Sequence, residues 1–101
     1  MRRGAADPTV AGMTVFLVFR QLPGVTRDQY SAAQRAVADV IGNAGENARV
    51  CYRGGFFLPA SARAVCVFEA GSAADVETVN QQAGVPFTEV VEALQLRATG
   101  P

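Results

Sequence analysis

Histidine is absent from this sequence, and so is lysine. The first absence excludes Ser-His-Asp and Cys-His catalysis supplied from within the chain. It also excludes every histidine-ligated metal site. The second leaves the 9 basic residues all arginine, scattered along the chain and balanced by 9 acids. No basic stripe for a nucleic-acid backbone results. Long hydrophobic runs are lacking too. The longest, Val15 to Phe19, is far short of the ~20 residues a membrane helix needs. Arg2 and Arg3 are followed by no apolar segment, so the opening MRRGAADPTVAG does not read as a signal peptide. The expected location is the cytoplasm, where the 2 cysteines would be thiols and not a structural disulfide.

What is present suffices for one packed domain. Half of the 101 residues are hydrophobic, and the length suits a single core. Residues 1–12 are expected to be a flexible leader, with Met13 as an alternative start. Residues 13–97 are the domain, and 98–101 a tail.

MTVFLVFRQL reads as a strand closed by the LPG turn. Its faces are Met13, Val15, Leu17, Phe19 and Thr14, Phe16, Val18, Arg20. Both are mainly apolar, so both ask for cover. A helix follows. Thr26 and Gln29 form a capping box, and Val25 and Tyr30 sit at staple positions. Tyr30, Ala33, Val37, Val40, Ile41 and Ala44 make its apolar stripe, with stop signals at Gly42 and Gly45. ARVCYRGGFFLPASARAVCVFEA reads as two strands joined near Pro59, with Gly54-Gly55 either a bulge, the favoured reading, or a place where something approaches the backbone closely. In GSAADVETVNQQAG a second helix is capped by Ser72, with Asp75 completing a box. It carries Val76, Val79 and Ala83 on one stripe and ends at Gly84. The last element, from about Val90 to Arg97, is expected to be a strand.

The order β-α-β-β-α-β is the ferredoxin-like α+β unit: a four-stranded antiparallel sheet with two helices on one face. The bare face would expose an apolar patch that soluble proteins avoid. A second copy, sheet against sheet, is the simplest cover, which gives a dimeric, α+β barrel-like assembly.

The run AVCVFEAGSAADVETVNQQAGVPFTEVVE combines apolar-Cys-apolar-aromatic-Glu-Ala with a helix ending in Ala-Gly and then Pro. Together with FLVFRQLPGVTRDQY it resembles a family of small, largely actinobacterial ferredoxin-like proteins described as nickel-binding or nickel-responsive. Cys66, Glu69, Ala70, Gly84 and Pro86 match that pattern. Family members often carry a histidine on the second strand and another in the second helix. Here those positions hold Gly54 or Gly55 and Val79, and Phe19 stands where a carboxylate is common. The resemblance therefore implies the fold and the dimer, while the missing imidazoles argue against nickel for this member.

Candidate metal ligands are Cys66, Cys51 and Glu69. Nickel is implied by the resemblance alone, and copper by the thiol content. Cys66 lies among valines with no cation nearby in sequence, which favours packing over reactivity. With a two-residue loop at Pro59-Ala60, Cys51 would lie opposite Phe68 and share a face with Cys66; one residue of slip would separate them. Glu69, Glu89 and Glu92 are carboxylates near element ends, and strand parity puts Glu69 on the face opposite Cys66. Arg49, Tyr52 and Arg53 are candidate cleft residues, and Arg20 and Arg53 candidate anion binders. Two classes of function follow. One is a non-catalytic dimer that binds a metal ion or small molecule. The alternative is a cofactor-free monooxygenase or isomerase of the dimeric barrel kind, holding an apolar substrate among Phe16, Phe19, Tyr30, Tyr52, Phe56, Phe57, Phe68 and Phe87.

Overall fold

A computed structural model describes residues 13–45 and 49–96. The expected leader, the tail and Arg97 lie outside the described residues. The elements are β1 (Thr14–Gln21), α1 (Arg27–Ala44), β2 (Val50–Leu58), β3 (Arg63–Ala70), α2 (Ala73–Ala83) and β4 (Glu89–Ala93). They form an antiparallel four-stranded sheet of order β2-β3-β1-β4, the ferredoxin-like arrangement.

Local chemistry sets the ends of the elements. The Thr26 hydroxyl accepts from the Gln29 N–H at 3.1 Å, and the Gln29 side chain accepts from the Thr26 N–H at 2.9 Å. This capping box satisfies donors that would otherwise be orphaned at the start of α1. Gly42 lies inside α1, and Gly45 is its C-cap. Ser72 caps α2 by accepting from the Asp75 N–H, and Gly84 closes it in the left-handed conformation.

The helices cover one sheet face. Phe16, Val18 and Arg20 of β1 and Ala64, Cys66, Phe68 and Ala70 of β3 are buried there, with Tyr30, Val37 and Val76 from the helices. The other face of β1 and β3, Val15, Leu17, Phe19, Val65 and Val67, is only half-buried. Phe56, 69% exposed, lies opposite Val65 on this open face, and exposed Val91 lies opposite Leu17.

Two expectations about register need correction. The β2–β3 turn spans residues 59–62, so that Leu58 pairs with Arg63. Two extra residues in the loop leave strand parity unchanged. The register then shifts between Tyr52 and Gly55, at a bulge where Gly54 has φ 92°. One extra residue reverses parity. Cys51 therefore faces Glu69, not Phe68, and lies on the open face, away from Cys66. The last strand is also shorter than expected. Ala93 pairs with Val15, and β1 begins at Thr14, so the ladder runs out. Leu94 and Leu96 lie beyond it, 84% and 82% exposed. Among the described residues, no helix is long and apolar enough to cross a membrane.

Candidate functional site

Arg20 shares a strand face with Phe16 and Val18, so the fold draws its guanidinium under the helices. It is 2% exposed. One terminal nitrogen donates to the Pro86 carbonyl at 3.1 Å, and the other to Asn80 Oδ1 at 2.5 Å. Asn80 is itself fixed, because its Nδ2 donates to the Val76 carbonyl one turn earlier at 2.8 Å. Both partners of Arg20 are neutral. Among the described residues the ion pair is Arg53–Glu69, on the open face, and no carboxylate pairs with Arg20. A buried cation without a counter-charge is costly.

Next to Arg20, Tyr30 of α1 and Tyr52 of β2 converge on Cys66 of β3. The Tyr30 hydroxyl lies 3.6 Å from Cys66 Sγ, and the Tyr52 hydroxyl 3.9 Å from it. Gln34 Nε2 donates to the Tyr52 hydroxyl at 2.8 Å. Tyr30 stacks on Phe57, and Tyr52 packs at a tilt against Phe68, which holds the rings in place. Gly55, opposite Cys66, makes room for this meeting: a Cβ there would stand 3.0 Å from the Tyr30 hydroxyl. Burial, followed by the neighbouring Cys66 thiol, pushes Tyr52 up to about 12. Tyr30 is raised as well, by burial first and then by its contact with Cys66. Arg20, which lines the same recess, opposes both shifts.

These groups line a narrow recess together with Ala33, Val37 and Val85, and the side chains leave no room between them for a water. Its chemistry is lopsided. A guanidinium offers five N–H donors and two tyrosines offer O–H, while the Gln34 amide oxygen accepts well and the thiol sulfur weakly. Donors outnumber good acceptors.

The residues singled out from sequence divide between the two faces. Cys66 is buried in the recess, while Cys51 and Glu69 face each other on the open side, where Arg53 donates to Glu69 at 2.9 Å. Arg53 and Tyr52 thus separate, and only Tyr52 reaches the recess. Arg49, Glu89 and Glu92 are exposed. Among the described residues no three His, Cys, Asp or Glu side chains come together as a metal site. The thiols cannot share a Cu(I) ion across the sheet, and Glu69 is engaged by a cation. The residues present do not fit Ni(II). Sequence reading alone passed over Gln34 and Asn80, and took Tyr30 as staple, core and one of the aromatics that could hold an apolar substrate. The available signals were the parity of Arg20 with Phe16 and Val18, and the four-residue step from Val76 to Asn80.

A comparison with curated proteins finds no match. Among solved structures, the chain is similar to SCO4226 from Streptomyces coelicolor A3(2), with a TM-score of 0.70 and 28% identity, covering 83% of this chain and 99% of that one. Residues 16–93 match the family described as nickel responsive protein SCO4226-like. The chain therefore belongs to the SCO4226-like family of nickel responsive proteins.

Proposed function

We propose that this chain is a small, non-catalytic, homodimeric binding protein that takes a small molecule, and not Ni(II). The observation that carries this reading is Arg20, a buried cation facing a recess with two tyrosine hydroxyls and no carboxylate partner among the described residues. Interior guanidinium charge without a counter-charge is destabilising, and an anion bound beside it would lower that cost. The size also limits the ligand. Drug-sized molecules occupy pockets of about 300–1,000 Å³, whereas the side chains lining this recess leave no room even for a water. That weighs against a bulky apolar substrate and hence against the barrel-enzyme alternative.

The dimer rests on the open face. Val15, Leu17, Phe19, Val65, Val67, Phe56 and Val91 form one apolar surface on four adjacent strands. An identical surface, turned by a two-fold axis, is its simplest complement. Two measurements test the reading. Equilibrium dialysis against Ni(II), Cu(I) and Zn(II), scored by elemental analysis, should find no stoichiometric metal, and light scattering should give a dimer at micromolar concentration. Stoichiometric Ni(II) would overturn the ligand assignment, and a monomer the assembly.

A further inference from the structure

We infer that the two copies of the dimer cross their sheets at near right angles and meet at diagonal corners, Leu94 and Leu96 of one copy covering Phe56 and Leu58 of the other, and the reverse. This rests on the proposed reading that the open face pairs two copies, and it adds which parts of that face meet. Among the described residues the exposed large hydrophobics are Phe56, Leu58, Val91, Leu94 and Leu96. The ladders fix where they stand. Leu58 pairs with Arg63, and Arg63 with Gln21, so Phe56 and Leu58 mark the end of the sheet where β1 finishes. Ala93 pairs with Val15 at the other end, where β1 starts, so Leu94 and Leu96 leave the sheet there. β2 and β4 are the two edges. The two apolar pairs therefore occupy diagonally opposite corners, and Val91 lies on the open face itself.

Both corners lack a neighbour that their sequence suits. Leu94, Gln95 and Leu96 keep the alternation of a strand, yet the ladder with β1 ends at Ala93. On β2, the bulge near Gly54 and the exposed Arg53 guard the first half of the edge, while residues 56–58 carry no charge. Two-fold symmetry limits how the corners can meet. With the strands of two stacked sheets aligned, each apolar corner falls on the start of the partner's β2 or β4, where neither pair lies. With the strands crossed at about 90°, a known packing of two sheets, the diagonal maps onto itself. One axis then sets the leucine corner on the phenylalanine corner of the other copy, at both ends. The other axis sets each corner on its own duplicate. Charge separates the two. Exposed Glu92 stands two residues before Leu94, and exposed Arg63 lies opposite Leu58. Among the described residues neither makes an ion pair. Like corners would bring Glu92 to Glu92 and Arg63 to Arg63, whereas unlike corners bring opposite charges together.

Analytical ultracentrifugation and directed disulfide formation test this on the full chain. Leu94 and Leu96 are almost fully exposed, so Leu94→Ser/Leu96→Ser should leave the far-ultraviolet circular dichroism unchanged. It should raise the dimer dissociation constant at least about tenfold. For the second measurement, chains carrying Leu58→Cys are equilibrated with chains carrying Leu96→Cys, both in a Cys51→Ser background, and oxidised with copper phenanthroline. Position 58 should bond to position 96 of the other chain in preference to either position bonding its own kind. A monomer at micromolar concentration would overturn the dimer reading and this inference with it. A dimer whose dissociation constant the serine variant leaves unchanged would overturn the corner contact alone. So would a dimer in which 58 bonds to 58, or 96 to 96, or no bond forms, and the reading of the open face as a dimer surface would stand.

Discussion

Alanine at Gly55 tests the register on which the recess depends. The added Cβ would lie 2.5 Å from the Val65 carbonyl oxygen and 2.9 Å from Cys66 Cα, both backbone atoms of β3. Ordinary contact begins near 3.4 Å, so the strands must part by about 0.9 Å or the bulge must reorganise. Overpacking of this kind costs up to about 3 kcal/mol. A gain of about 0.4–1 kcal/mol from the stiffer unfolded chain offsets part of it. The net loss of about 2 kcal/mol corresponds to a fall in Tm of roughly 8–16 °C for a domain this size. Gly42→Ala is the control. Its Cβ meets nothing within 4 Å and it lies inside α1, so it should stabilise by about 0.5–1 kcal/mol. Urea unfolding followed by far-ultraviolet circular dichroism measures both. A Gly55→Ala variant as stable as the parent would refute the pairing of Gly55 with Cys66, and with it the placement of Cys51 on the open face.

Thr26→Ala removes the hydroxyl half of the α1 capping box and should cost about 1 kcal/mol in the same assay. The tyrosines should make the fold sensitive to alkali. Below pH 10 both phenols are neutral in folded and unfolded chains; above it the unfolded chain loses protons that folded Tyr52, raised to about 12, and Tyr30 retain. Stability is therefore full below about pH 10 and falls as pH rises toward 12. Phenolate absorbance should appear together with unfolding, and titration near pH 10 with the fold intact would contradict this. Leu17 sits between Val67 and Val91 at the centre of the open face. If the proposed dimer forms through this face, Leu17→Asp should give a monomer in light scattering while leaving the helical signal unchanged.

Most of the element order was legible because its signals are local. Thr26 and Gln29 are three residues apart, Gly84 follows its helix directly, and the alternation in β1 and β3 repeats every second residue. The absence of histidine, visible without any structure, excluded imidazole ligands and bases at once. The same alternation gave β1 and β3 two apolar faces, and among the described residues one of them is left uncovered.

The site was less legible because its members are far apart in sequence and meet through register. Arg20 reaches Asn80 across 60 positions, and Tyr30 reaches Cys66 across 36. Whether Cys51 joins Cys66 depended on loop length plus bulge. The longer turn left parity unchanged, and the single extra residue near Gly54 reversed it. Local residue chemistry thus determined the helices, the strands, their caps and the lack of imidazole chemistry. Tertiary structure decided which face each strand residue occupies. It thereby brought a buried arginine, two phenols and a thiol into one recess, because side-chain direction in a sheet changes with every residue of slip.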